Sequence, residues 1–314
     1  RFCRPRVCAD LAAMAAPAPA QQPPGPVAVV PLAVVASPQS TPRHVYKFAR
    51  RRWAAVLPTL AAATLISLTE ITRLIAVGQG HCNTVVNGTV VRIDIPAISP
   101  ATRLSPERWI WTLGVDLVWV LLLCPSMLLG WEVFRHGQQR PCGCPINKLV
   151  FGLLVAGSVF LVGEASIPLQ PDVLDPEAVL TAQSAAHLTS AGIMFLCLLA
   201  HGGITTFWQC CLPAGHRIFG RKSLLLKVCT VMLALLSLSG VFPIALIMLC
   251  SPALRKPDVL LQNLGGLSQR CVVACIALYL ASYSLDIGAL RYRTVEREAG
   301  RVQDLQQELS ASQA

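Results

Sequence analysis

Asp116, Glu164 and His187 are ionisable residues set inside apolar runs of the chain. A charged side chain in hydrocarbon is expensive, so each is a functional-site candidate by default. Asp116 falls about two helical turns from one end of its run, and Glu164 lies at a similar depth in the next. His187 opens the run after that, with Gln183 and Ser184 just before it. On antiparallel helices these groups converge at one end of a bundle. Two carboxylates and an imidazole so grouped hold helices together by hydrogen bonds, grip a polar lipid head, or serve as acid–base or metal ligands. No short metal-ligand motif, nucleophile elbow or HExxH pattern accompanies them. No catalytic residue, metal or cofactor is therefore assigned. His201 and Asp286 belong towards the other end.

The elements that position these residues are long and apolar. Residues 149–163 contain no charge, and residues 185–208 are interrupted only by His187 and His201. Neither run alternates as a half-buried strand would. A helix of about 20 residues crosses the roughly 30 Å hydrocarbon layer. Across the 314 residues, hydrophobic side chains make up 54% and charged ones only 13%, against about 25% charged in ordinary soluble domains. The expected fold is all-α, a polytopic six-transmembrane-helix bundle, with spans at about 53–76, 108–131, 147–167, 183–208, 224–250 and 269–290. Glu70 and Arg73 stand three apart on one face of the first span, where they pair or snorkel to the interface.

The net charge of +10 raises nucleic acid as a partner. No zinc-finger spacing, recognition helix or aromatic–basic interleaving supports it, so nucleic acid is set aside. The basic residues instead cluster beside spans, at 47–52, 135–148, 217–227 and 291–297, all on the side of the termini. Fewer lie opposite, which predicts both termini in the cytosol. The connector at 78–107 is then lumenal, and its Asn87-Gly88-Thr89 becomes a glycosylation acceptor.

Residues 1–46 are rich in Ala and Pro and read as a disordered lead. The chain opens on Arg1, and Met14 is a candidate start. The membrane domain spans 47–293. The tail at 294–314 places Val302, Leu305 and Leu309 at helical spacing, either as a protein-partner segment or as a solvated helix. Cys142, Cys144, Cys210 and Cys211 flank spans on the predicted cytosolic side and are S-acylation candidates. Cys82 and Cys250 are both expected on the lumenal side. Gly152, Gly157, Gly163 and Gly192 are expected to let helices pack closely rather than to mark a pore.

Several local motifs share an order with one family. Pro96-Ala97-Ile98-Ser99 and then Ser105-Pro106-Glu107-Arg108 precede the second span. Asn147-Lys148 opens the third, followed by Gly152 and Gly157, and His187 leads to Gly192 and Phe195 in the fourth. Over residues 50–293 this pattern resembles the Frag/DRAM/Sfk family of six-span membrane proteins, whose domain also forms the amino-terminal part of Cwh-type proteins. The resemblance implies a place in the endomembrane system (lysosome, Golgi or ER) or the plasma membrane. It also implies work in lipid organisation or autophagy and lysosomal regulation. The expected function is non-enzymatic, with membrane lipids, anionic phospholipids among them, as partners. GPI-anchor lipid remodelling and small-molecule or ion transport are the alternatives.

Overall fold

A computed structural model of the chain describes residues 52–86, 88–136, 146–169, 181–212, 217–250 and 259–289. The lead at 1–46, Asn87, Cys142, Cys144, the acid-bearing residues Asp172, Asp175 and Glu177, and the tail at 294–314 lie outside the described residues. So does the side chain of Cys250.

Pro58 fixes where the first span starts. Its ring is tolerated only in the opening turn, where its missing N–H goes unused. Residues Arg52–Ala55 accordingly form a 3₁₀ turn, and α1 runs Leu57–Gly78 rather than from residue 53. A hairpin follows, β1 (Asn83–Val86) antiparallel to β2 (Thr89–Arg92), with Val85 opposite Val90. Gly88 takes φ +78° in its turn, a conformation that favours glycine. The connector read as a plain loop therefore carries a small strand pair and a short helix, α2 (Ile98–Ala101).

The second span is α3 (Glu107–Val118), a π-helical turn at Trp119–Leu123, and α4 (Cys124–His136). Pro125 explains the π turn: it has no N–H, and its ring crowds the carbonyl four residues back. The third span is α5 (Ile146–Ser166) and the fourth α6 (Ala182–Cys211), whose start is capped by Thr181 Oγ1 accepting from Ser184 N at 3.1 Å. The fifth is α7 (Arg221–Cys250). The sixth begins with α8 (Val259–Ala281) and continues to Ala289.

The sixth span thus starts ten residues before the expected 269. Asn263 looks like loop chemistry, but on the helix it shares an inward face with Gln269 and Arg270, and all three bond to the connector.

The described residues contain six helices long and apolar enough to cross a membrane. Each packs on the one before it, and the sixth returns to α1. Large apolar side chains point outward all round: Leu74, Leu128, Leu196, Phe207 and Leu236 are each 60–73% exposed. A water-soluble monomer does not expose apolar surface on this scale. The protein is an all-α, six-span polytopic membrane protein. Inside, Leu65, Trp111, Val115 and Ala165 fill the space among α1, α3 and α5, while Met127, Leu154, Met194 and Leu198 join α4, α5 and α6. Gly157 brings α5 against α6: a Cβ there would lie 2.6 Å from Leu198 Cγ. Gly163 approaches Ser190, but Gly152 and Gly192 face open space, so the packing role expected for those two is not what they do. A glycine in an apolar run marks close approach only when its face meets a neighbour.

Candidate functional site

The hairpin end of the bundle is closed by the connector at residues 94–102. This backbone has left the hairpin and not yet joined α3, so its polar groups need partners, and helix side chains supply them. Asn263 Oδ1 accepts from Ile95 N and Gln269 Oε1 from Ile98 N, both at 2.7 Å. Arg270 Nε donates to the Pro96 carbonyl at 3.1 Å. Gly266 makes the approach workable, since any Cβ would strike the Ile95 carbonyl. Arg270 also reaches α1, donating to the Thr69 carbonyl at 2.9 Å and to Glu70 Oε1 at 3.0 Å. Arg73 completes this group, 2.8 Å from Glu70 Oε2 and 3.1 Å from the Asp94 carbonyl. The two charges of α1 do pair, and with Arg270 they form a three-residue ionic clamp.

Glu164 and His187 meet beneath this cap. His187 Nδ1 lies 2.6 Å from the Ile167 carbonyl, which can only accept, so Nδ1 carries the hydrogen. In the neutral ring Nε2 is then an acceptor, and Ser99 Oγ stands 2.9 Å away. Glu164 Oε1 is 3.6 Å from the same nitrogen. Glu164, His187 and Ser99 are all buried. Asp116 is half-buried one turn beyond Thr112, whose Oγ1 donates to the Ala165 carbonyl at 2.7 Å. Asp116 is hydrogen-bonded to neither Glu164 nor His187, and its Oδ1 has no hydrogen-bond partner. Gln183 is exposed at the rim, Nε2 to the Pro168 carbonyl at 3.3 Å. Pro106 precedes α3, Glu107 is fully buried with Oε1 2.9 Å from His81 Nδ1, and Arg108 stacks on Trp109 at 5.6 Å. Among the described residues, no three His, Cys, Asp or Glu side chains form a metal site.

A second polar group, deeper and more completely closed, occupies the far end. Lys227 of α7 donates to Asp286 Oδ2 and Ser282 Oγ, each at 2.6 Å, and to Ser223 Oγ at 2.7 Å. Its ammonium also sits 4.3 Å from the Phe219 ring centre and 4.4 Å from that of Tyr283. His201 joins the same aromatic group, Nε2 to Tyr283 Oη at 2.8 Å and Nδ1 to the Val150 carbonyl at 2.7 Å. Four spans are tied together by this network. Its signal in the sequence is the helical spacing of Lys227 with Ser223, and of Asp286 with Ser282 and Tyr283, on two neighbouring spans.

Near the ends of α6 and α7 at this side, Cys210 and Cys211 are exposed. Arg217 Nε donates to the Leu212 carbonyl at 2.9 Å, and Arg221 and Lys222 lie exposed in the first turn of α7. Asn147 opens α5 on the same side.

The chain matches no family model, no curated protein and no solved structure.

Proposed function

We propose that this six-span protein recognises and organises membrane lipid without transforming it, with both termini in the cytosol and its hairpin in the lumen. One observation carries this reading. The polar side chains at both ends of the bundle are spent largely on joining helices, which leaves an apolar outer face and basic connector residues as the surfaces that meet partners. Those surfaces match hydrocarbon and anionic headgroups. The resemblance to the Frag/DRAM/Sfk family belongs to the same proposal. It is supported by the way Pro96, Ile98, Ser99 and Glu107 of its motifs lie buried in a single cap. On this reading the protein works in endomembranes or the plasma membrane, in lipid organisation or autophagy and lysosomal regulation. Protein purified in mild detergent should retain phospholipid through gel filtration and shift its thermal midpoint upward when lipid is returned. Retention of none, with no such shift, would refute the reading.

A second reading, participation in GPI-anchor lipid remodelling, is favoured by the Ser99–His187 contact. An imidazole held at Nδ1 by a carbonyl and at Nε2 by a hydroxyl is arranged to polarise that hydroxyl. Cells lacking the protein should then carry anchors with altered acyl chains, and unchanged anchors would remove this reading.

A further inference from the structure

Burial and depth sort the cysteines of the described residues. Cys82 and Cys275 are buried, and Cys124, Cys197 and Cys271 are half-buried, where a thiol serves as a small apolar filler. Cys229, Cys210 and Cys211 are exposed. Cys229 stands eight residues after Arg221, about 12 Å into α7 at about 1.5 Å per residue, so it faces hydrocarbon. Cys210 and Cys211 combine exposure with a place at the end of a span.

These two thiols finish a lipid-facing stripe. Leu196 and Phe207 of α6 are both exposed and lie about three full turns apart, on one line of the helix. At about 100° per residue, Cys210 points about 60° to one side of Phe207 and Cys211 about 40° to the other. Trp208 and Gln209 take the inner face between them. The 30 residues of α6 measure about 45 Å, so the helix outruns the roughly 30 Å hydrocarbon layer. Its apolar run stops at Trp208, which leaves Cys210 and Cys211 at headgroup level. A thiol at that height is open to water, while a chain attached to it runs back along Phe207 and Leu196 into the acyl layer.

Charge at the same end suits an acyl donor. Arg217 is fastened over the last turn of α6, Nε donating to the Leu212 carbonyl at 2.9 Å and Nη2 to that of Cys210 at 3.4 Å. A cation is therefore held beside the turn that carries the thiols. Arg221 and Lys222 are exposed on the same side of the bundle, in the first turn of α7. Acyl-coenzyme A carries its fatty chain on a phosphate-rich, anionic carrier, which positive charge of this kind attracts.

We infer that Cys210 and Cys211 are S-acylated with long-chain fatty acid, pinning the turn between α6 and α7 to the cytosolic leaflet. In this step the cysteine sulfur attacks the acyl carbonyl of an acyl-coenzyme A, and the donor's carbonyl–sulfur bond breaks. Coenzyme A leaves as its thiol with the proton that the cysteine gave up, so one thioester replaces another and nothing is oxidised or reduced. The cytosolic placement rests on the topology proposed above, and the modification itself goes beyond lipid recognition.

The test uses the full chain from cultured eukaryotic cells. Its unmodified thiols are blocked with maleimide, thioesters are opened with hydroxylamine, and each newly freed thiol is tagged with a polyethylene-glycol maleimide. The wild-type chain should gain tags that appear only with hydroxylamine. Cys210→Ala and Cys211→Ala should each lower the tagging, the double variant should abolish it, and Cys229→Ala should leave it unchanged. No hydroxylamine-dependent tag on the wild type, or tagging that persists in the double variant, would overturn the assignment. Tagging lost with one single variant and untouched by the other would overturn it for the other cysteine. A membrane-impermeant maleimide should reach the freed thiols once the plasma membrane alone is opened. Thiols reached only from the opposite face would sink the topology, whereas unacylated thiols reached from the cytosol would sink the acylation alone.

Discussion

Lys227 Nζ stands 2.6 Å from Asp286 Oδ2, and both side chains are sealed inside the bundle. Removing one member of such a pair strands the other in a low-dielectric interior, which costs about 3–5 kcal/mol. Asp286→Ala should therefore lower the thermal midpoint sharply. Replacing both, Lys227→Met with Asp286→Leu, should recover most of the loss. A double variant as unstable as the single would mean that the stabilisation comes from the serines and aromatic rings, not from the pairing.

The cap depends on Gly266, whose missing side chain lets the Ile95 carbonyl lie against α8. Gly266→Val should cost about 1–3 kcal/mol through overpacking and expose residues 93–99 to protease. Gly78, where a Cβ would meet nothing within 4 Å, provides the control. Gly78→Ala should leave cleavage unchanged.

His187 bridges the Ile167 carbonyl and Ser99 Oγ, so His187→Ala leaves two buried groups without their partner. The expected loss is about 1–3 kcal/mol. Asp116→Asn should change stability by less than about 0.5 kcal/mol, because Asp116 joins neither partner. Equal effects in thermal melts would place Asp116 inside the cluster after all.

Arg270 reaches the Pro96 carbonyl, the Thr69 carbonyl and Glu70 from one guanidinium. Lysine keeps the charge but not the planar fork. Arg270→Lys should thus destabilise the protein by about 1–3 kcal/mol, and detergent melts compared at matched pH would read this directly.

Much of this architecture was legible in apolar run length, because a membrane asks for little else from a span. The start of α8 was not, since Asn263 reads as polar loop until the connector it bonds is folded beneath it. The hairpin has its signal in Asn87-Gly88 between Val85-Val86 and Thr89-Val90-Val91, the same residues that form the glycosylation motif. The site was only partly legible. Glu164 and His187 are brought together because they share a depth, whereas Asp116 lies one turn past the contact. Depth along a helix can be counted from the sequence, but the azimuth of one helix against another cannot. For the same reason, the spacing of Lys227 with Ser223 and of Asp286 with Ser282 marks two polar helix faces without telling that they meet across 59 residues.

The most direct test is membrane topology in selectively permeabilised cells, using epitope tags at each end of the chain and a third inserted in the hairpin. Six crossings with cytosolic termini require both end tags to be reached together when the plasma membrane is opened, and the hairpin tag to be reached only from the opposite face, inside an organelle or at the outside of the intact cell. End tags exposed separately, or a hairpin tag exposed along with them, would contradict the six-span account.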